Sequence, residues 1–310
     1  MLMALTLFDK LVSLFLIIGI GFAVVRIGLL KSEDSRVLSL ISLYIVCPVA
    51  IMNGFEVDPE PAVMRGMLLA TVFAVLTHIV FILLAKLLEK PLKLSVLERM
   101  SVIYSNAGML TIPLVQAMLG SDWVIYTCAY NVVQLILLWT HCRIQISGEK
   151  TVDLKKILLN PNIIAIAMGI FIFFTRFRFI SPIDSAIDGI AAMIGPFGML
   201  VTGMVIGGMP LKKLFSFKRG WLVIFLRLLA APAIMVLIAK LTGLASLVEN
   251  GQTVLLISLL SLAGPTGATV MQMSQIYNSH EVAEYASALN VISMICCAVS
   301  MPLVVALYYL

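Results

Sequence analysis

The chain has 310 residues, of which 61% are hydrophobic and 12% charged, and its mean hydropathy is +1.09. A domain that faces water carries about 25% charged residues, so this composition excludes a soluble enzyme or a soluble binding module. The formal charge of +5 does not indicate nucleic acid as a partner, because the basic residues sit in short loops between apolar runs.

A helix that crosses a bilayer needs roughly 20 mainly apolar residues. Ten runs reach about that length, at 8–29, 37–55, 66–88, 100–120, 122–142, 161–178, 184–208, 220–240, 252–276 and 284–308. The expected fold is therefore an all-α polytopic membrane protein of ten transmembrane helices. The opening MLMALTLFDK lacks a basic n-region and a small-residue cleavage site, so span 1 is expected to be a retained helix. Span 2 carries Pro48 and span 3 carries His78. Span 4 contains SNAGMLTIPLVQAMLG (105–120), which places Asn106, Thr111 and Pro113 at bilayer depth. Span 5 adds Asn131 and Gln134. The longest connection, 143–160, is expected to be a cytoplasmic loop. Span 7 is rich in glycine, and its Gly203 and Gly207 form a G-x-x-x-G that permits close helix approach. Arg227 lies near the cytoplasmic end of span 8 and is expected to snorkel to that face. Span 9 holds LAGPTGATVMQMSQ (262–275), with Pro265, Thr266, Thr269 and Gln272, and span 10 holds Asn290 and Ser293.

Basic residues in short loops set membrane orientation. With the N-terminus outside, the cytoplasmic loops collect Arg26, Lys31 and Arg36; Lys86, Lys90, Lys93 and Arg99; Arg143, Lys150, Lys155 and Lys156; and Lys212, Lys213, Lys218 and Arg219. These are most of the 21 Lys and Arg. Both termini are therefore expected to be extracytoplasmic, in a cell (inner or plasma) membrane. The five cysteines, Cys47, Cys128, Cys142, Cys296 and Cys297, have no metal-ligand spacing, and neither a metal nor a cofactor is expected.

The two halves of the chain correspond at an offset of about 150 residues, which sets Gly21 against Gly169, Pro48 against Pro196 and Pro113 against Pro265. Five spans per copy is an odd number, so the second copy must enter the membrane from the opposite side. Such inverted repeats occur in secondary transporters, where Gly/Pro-interrupted helices at matching places mark the substrate site. Non-helical backbone survives at membrane depth only inside protein or beside a watery cavity, and half-helix N-termini favour an anion there. The breaks in spans 4 and 9, which hold Pro113 and Pro265, can thus cross each other near the midplane. Asn106, Thr111, Asn131, Thr266, Thr269 and Gln272 are the candidate substrate contacts beside them. No Asp or Glu lies deep in a span, which leaves His78 and Arg227 as candidates for a coupling role. The string His280-Glu-Val-Ala-Glu284 lacks the second histidine of a metalloprotease helix, so no enzyme activity is expected.

With these residues in hand, the chain resembles the auxin efflux carrier family. The likeness rests on the Pro48 segment, SNAGMLTIPLVQAMLG, NPNIIAIAMGI (160–170), GPTGATVMQMSQIYN (264–278) and MPLVVALYY (301–309). The resemblance implies a first inverted repeat over 1–142 and a second over 161–310, joined by the 143–160 loop. It implies a scaffold of spans 1, 2, 6 and 7, a moving transport domain of spans 3–5 and 8–10, a homodimer, and elevator-type carriage of a small organic anion such as a carboxylate or an auxin-like weak acid. The large loop of many plant members is absent, and Val270 stands where those carriers have a second proline. A proton- or sodium-coupled symporter or exchanger, and a ligand-binding receptor on the same fold, stay open as alternatives.

Overall fold

The computed structural model describes residues 2–149, 155, 158–210 and 216–310. Lys150, Lys156, Lys212, Lys213 and part of the expected 143–160 loop lie outside the described residues. Twelve helices organise the rest. They are α1 (Leu2–Arg26), α2 (Ser32–Asn53), α3 (Pro61–Leu92), α4 (Val96–Ile103), α5 (Ala107–Leu119) and α6 (Ser121–Ser147). The second half contributes α7 (Pro161–Thr175), α8 (Ser181–Gly208), α9 (Lys218–Thr242), α10 (Gly251–Ala263), α11 (Ala268–Tyr277) and α12 (His280–Tyr309). Six of them, α2, α3, α6, α8, α9 and α12, are long and apolar enough to cross a membrane. Shorter apolar helices of 10–17 residues accompany them, among them Pro161–Thr175 and Gly251–Ala263. Among the described residues the only extended pairing is a single antiparallel bridge, Ser105 with Thr266. The chain is an all-α membrane protein.

Expected spans 4 and 9 are each two helices, α4–α5 and α10–α11. The break in span 9 contains Pro265, as the sequence suggests. The break in span 4 does not fall at Pro113. It falls eight residues earlier or so, where Tyr104 turns extended (φ −103, ψ 125) and Asn106 leaves helical geometry (φ −90, ψ 49). Pro113 is second in the α-helical stretch Ile112–Leu119 and follows a wide π-turn over Ala107–Thr111. The π-turn widens the helix just before the ring, so Pro113 is accommodated inside α5 without a break.

Helices α1 and α8 pack backbone to backbone through glycine. A Cβ on Gly21 would lie 2.3 Å from the Leu200 carbonyl oxygen, and one on Gly203 would lie 2.1 Å from the Ile18 carbonyl oxygen. The G-x-x-x-G of α8 thus serves its contact with α1.

The charged ends are tied by side chains. At one end Glu98, the third residue of α4, is 2% exposed and caps its own helix through Ser95. The Glu98 carboxylate accepts from Arg219 Nε at 2.9 Å and Nη2 at 3.0 Å, and from the Tyr285 hydroxyl at 3.0 Å. The same guanidinium donates to the Leu92 and Lys93 carbonyls that end α3. One carboxylate therefore joins α3, α4, α9 and α12. Burial pushes the Glu98 carboxyl up, but the hydrogen bonds from Arg219, Ser95 and Tyr285 outweigh it and hold it below the usual carboxylate range. A carboxyl whose folded pKa is depressed contributes stability above its unfolded pKa of about 4.3 and loses it as pH falls through the folded value. Arg219→Ala leaves Glu98 buried without its main partner. Because Arg219 is half exposed, the expected cost at neutral pH is on the order of 1–2 kcal/mol. The acid limb of the wild-type melting profile should also steepen relative to the variant's, which thermal unfolding in detergent from neutral to acid pH would show. At the opposite end the groups are acidic: Glu56, Asp58, Glu60 and Asp122 border one surface pocket, with Arg178 bound to Asp58 at 3.1 Å.

Candidate functional site

The two breaks meet. The Asn106 backbone N–H donates to the Pro265 carbonyl at 2.9 Å, and the Gly267 N–H donates to the Tyr104 carbonyl at 2.9 Å. This two-rung bridge satisfies backbone groups that each break would otherwise leave bare in an apolar interior. A Cβ at position 267 would come 3.1 Å from the Ser105 carbonyl oxygen, so a side chain there would push the two rungs apart by a few tenths of an ångström.

The outward backbone groups of the bridge are met by amides and hydroxyls from the two following helices. Gln134 on α6 donates to the Ser105 carbonyl at 2.9 Å and accepts from its hydroxyl at 2.7 Å. Asn290 on α12 donates to the Thr266 carbonyl at 2.7 Å, and the Ser293 hydroxyl accepts the Thr266 N–H at 3.0 Å. The arrangement is the same in kind on both sides: the helix after each break holds the break in place.

The four half-helix ends at the crossing point two ways. Helices α4 and α10 end there, and their terminal carbonyls face Arg227. That side chain is fully buried, donating from Nε to the Gly264 carbonyl at 3.2 Å and from Nη1 to the Val102 carbonyl at 3.0 Å, with Nη2 bonded to the Leu262 carbonyl. The Phe81 ring lies 5.7 Å from the guanidinium carbon. Helix C-termini carry partial negative charge and favour a cation. Arg227 thus joins two helix ends inside the protein, and does not snorkel to a face as expected.

Helices α5 and α11 begin at the crossing, and their first turns border a cavity of about 120 Å³. Ser105, Asn106 and Gly108 form one part of its wall, and Ala268, Thr269 and Gln272 another. Asn131 and Gln134 on α6, Asn290 on α12, and Ser39, Asn162, Gly198 and Thr202 on α2, α7 and α8 add to the wall, and apolar side chains make up the rest. Among the described residues, every polar side chain on this wall is neutral. Helix N-termini leave N–H groups without intrahelical partners and carry partial positive charge.

Of the residues singled out by sequence, Asn106, Asn131, Thr269 and Gln272 line the cavity. Pro265 and Thr266 belong to the bridge and sit behind that wall. Thr111 is fully buried further along α5, with its hydroxyl oxygen unpartnered. Pro113 packs against α8, its Cβ lying 2.8 Å from where a Cβ on Gly195 would be. His78 is 1% exposed, lies between the rings of Tyr104 and Tyr130 at 6.0 and 5.7 Å, and bonds through Nδ1 to its own helix at Ala74. Neither His78 nor Arg227 is on the cavity wall. Sequence reasoning missed Asn162 as a wall residue. Asn160 accepts the Asn162 N–H, so N-P-N reads as a helix cap; the signal passed over was the second asparagine, polar and unneeded for the cap.

A cavity with neutral polar groups on otherwise apolar walls, at the crossing of two interrupted helices in an all-helical membrane bundle, is the architecture of a membrane transporter. A family model described as membrane transport protein matches the chain over residues 6–152 and again over 147–305. The chain belongs to that family, the auxin efflux carriers. Comparison with curated proteins gave no match.

Proposed function

We propose that the chain is an elevator-type carrier for a small organic anion, with its site in the cavity at the crossing of α5 and α11. The observation that carries the proposal is the sorting of charge there. Both half-helix N-termini face the cavity, and both half-helix C-termini face Arg227.

The paired breaks, each held by the helix that follows it, support two inverted five-span repeats with α4–α5 and α10–α11 as the interrupted members. In that arrangement α1, α2, α7 and α8 form the scaffold and the other helices move against it. The contact between the groups favours sliding: α8 offers Gly195 and Gly198 to Pro113 and Met109 of α5. The cavity sits in the part of α2 and α8 that includes Ser39 and Thr202, nearer the basic end. Toward the acidic end, the Gly195–Pro113 contact closes the seam. With the basic end cytoplasmic, this is an inward-facing state with both termini outside.

Among the described residues no carboxylate borders the cavity, and the guanidinium already compensates the helix ends that a coupling cation would otherwise serve. The membrane potential is then the driver. Moving one charge through 100 mV is worth about 2.3 kcal/mol, or roughly fifty-fold in accumulation. Outward movement of an anion is favoured when the inside is negative. A proton-coupled reading has one observation in its favour: His78 Nε2 is buried without a partner beside Tyr104 of the bridge.

Charge movement in proteoliposomes on a solid-supported membrane tests both. A saturable current with a carboxylate, indifferent to pH and sodium steps, is expected. Asn106→Ala should raise the half-saturating concentration about ten-fold or more, the loss typical of one hydrogen bond to a charged group. A current that requires a proton gradient and vanishes in His78→Gln would select the coupled reading. Neither current nor binding with any acid would sink the anion assignment.

A further inference from the structure

Helix α2 ends at Asn53 and α3 begins at Pro61, so residues 54–60 carry the chain between them at the acidic end. In the elevator reading above, α2 is scaffold and α3 moves, which makes 54–60 a tether between the two groups. Much of this tether is fastened to the scaffold. Phe55 is buried against α7, where a Cβ on Gly169 would lie 2.5 Å from its ring. Arg178, in the segment after α7, binds Asp58 at 3.1 Å. Just before the tether, Asn53 Nδ2 donates to the Asp188 carboxylate on α8 at 3.2 Å.

Glu56 is fastened differently. One of its carboxyl oxygens is buried and has no hydrogen-bond partner among the described residues. The group within hydrogen-bonding reach of this carboxyl is another carboxyl, that of Asp184 in the first turn of α8. Two carboxylates have no hydrogen to offer each other, whereas a carboxyl O–H beside a carboxylate makes a strong bond. Asp188 adds a second negative charge from α8, Arg178 a positive one, and Glu60 and Asp122 border the pocket beyond. Burial and the Asp184 carboxylate push the Glu56 carboxyl above its usual range, against the pull of Arg178. The positive end of α8 favours the charge on Asp184, so Glu56 is the member that takes the proton.

Resting on the elevator reading, we propose that the tether is a latch set by extracytoplasmic acidity. In acid the Glu56 O–H donates to the Asp184 carboxylate and holds 54–60 to the scaffold. When the proton leaves for solvent, two like charges face each other, the tether parts from α8, and α3 gains the slack its movement needs. Acid on the outer face therefore slows the carrier without touching its cavity.

Anion currents with equal pH on both sides, and hydrogen exchange of 54–60 in the purified full chain, are read from about pH 4 to about pH 8, which brackets the ordinary glutamate range. Wild-type turnover should rise roughly three- to ten-fold toward the alkaline end, the worth of one hydrogen bond. The tether amides should lose protection over the same interval, once the intrinsic pH dependence of exchange is removed. Glu56→Gln keeps a donor for Asp184 at every pH and should stay slow and protected throughout. Glu56→Ala should stay fast and unprotected. Dissociation constants for the anion should agree among the three chains at any one pH. Wild-type turnover and protection that ignore pH, or a pH dependence that survives in Glu56→Gln, overturns the latch and leaves the carrier standing. No current with any acid overturns the carrier reading, and exchange of 54–60 in the wild type then decides by itself whether a proton holds the tether.

Discussion

Arg227→Met is expected to cost roughly 3–5 kcal/mol of stability and to abolish transport. The substitution keeps an apolar stem of similar length against Phe81 and removes the fork that serves Gly264, Val102 and Leu262. Three carbonyls at the ends of two half-helices are then left in a dry interior, each at about 1–3 kcal/mol, partly offset because a buried cation no longer has to be desolvated. Arg227→Lys should be intermediate. A single ammonium keeps the charge opposite both helix ends, but it cannot reproduce the planar fork that reaches carbonyls on two separate segments. Thermal unfolding in detergent and charge movement should rank wild type above Lys above Met. A methionine variant that kept full stability and full current would show that the crossing does not depend on this side chain.

Gly203→Ala is expected to destabilise the chain by about 2–3 kcal/mol, although alanine is the better helix former by about 1 kcal/mol. The new Cβ would sit 2.1 Å from the Ile18 carbonyl oxygen, which is backbone, so α1 and α8 must separate along the contact that also includes Gly21 and Gly207. Gly19→Ala is the matched control. It lies on α1 two residues from Gly21, and a Cβ there meets nothing within 4 Å. Its melting temperature should equal or exceed that of the wild type. If the two substitutions had equal effects, close helix approach would not be what holds this pair together.

The class of protein was legible because it rests on composition and run length. Apolar stretches of membrane-spanning length with few charges leave no soluble alternative, and the helices appear where those stretches lie. Glycine and proline also marked truly, where their local effect was decisive: Pro265 beside Gly264 interrupts span 9, and Gly203 with Gly207 marks a close helix contact. Pro113 misled because the wide π-turn before it makes room for the ring inside α5, so the break in span 4 fell to Tyr104, Ser105 and Asn106. They are extended because the opposite segment offers them two backbone hydrogen bonds, and no reading of span 4 by itself contains that partner.

The site divides along the same line. Asn106, Asn131, Thr269 and Gln272 could be picked out because amides and hydroxyls are costly at bilayer depth unless something uses them. Which use each one serves was not decided by its own span. Gln134 and Asn290 hold backbone, Asn131 and Asn162 each keep one buried amide atom without a partner, and Arg227, expected at a membrane face, caps two helix ends in the interior. The sequence by itself determined that this chain lives in a bilayer, is all helix, and interrupts its helices twice. Only the tertiary structure decided where the two interruptions meet and which polar groups are left over, because a hydrogen bond between segments about 160 residues apart depends on both partners and is written in neither.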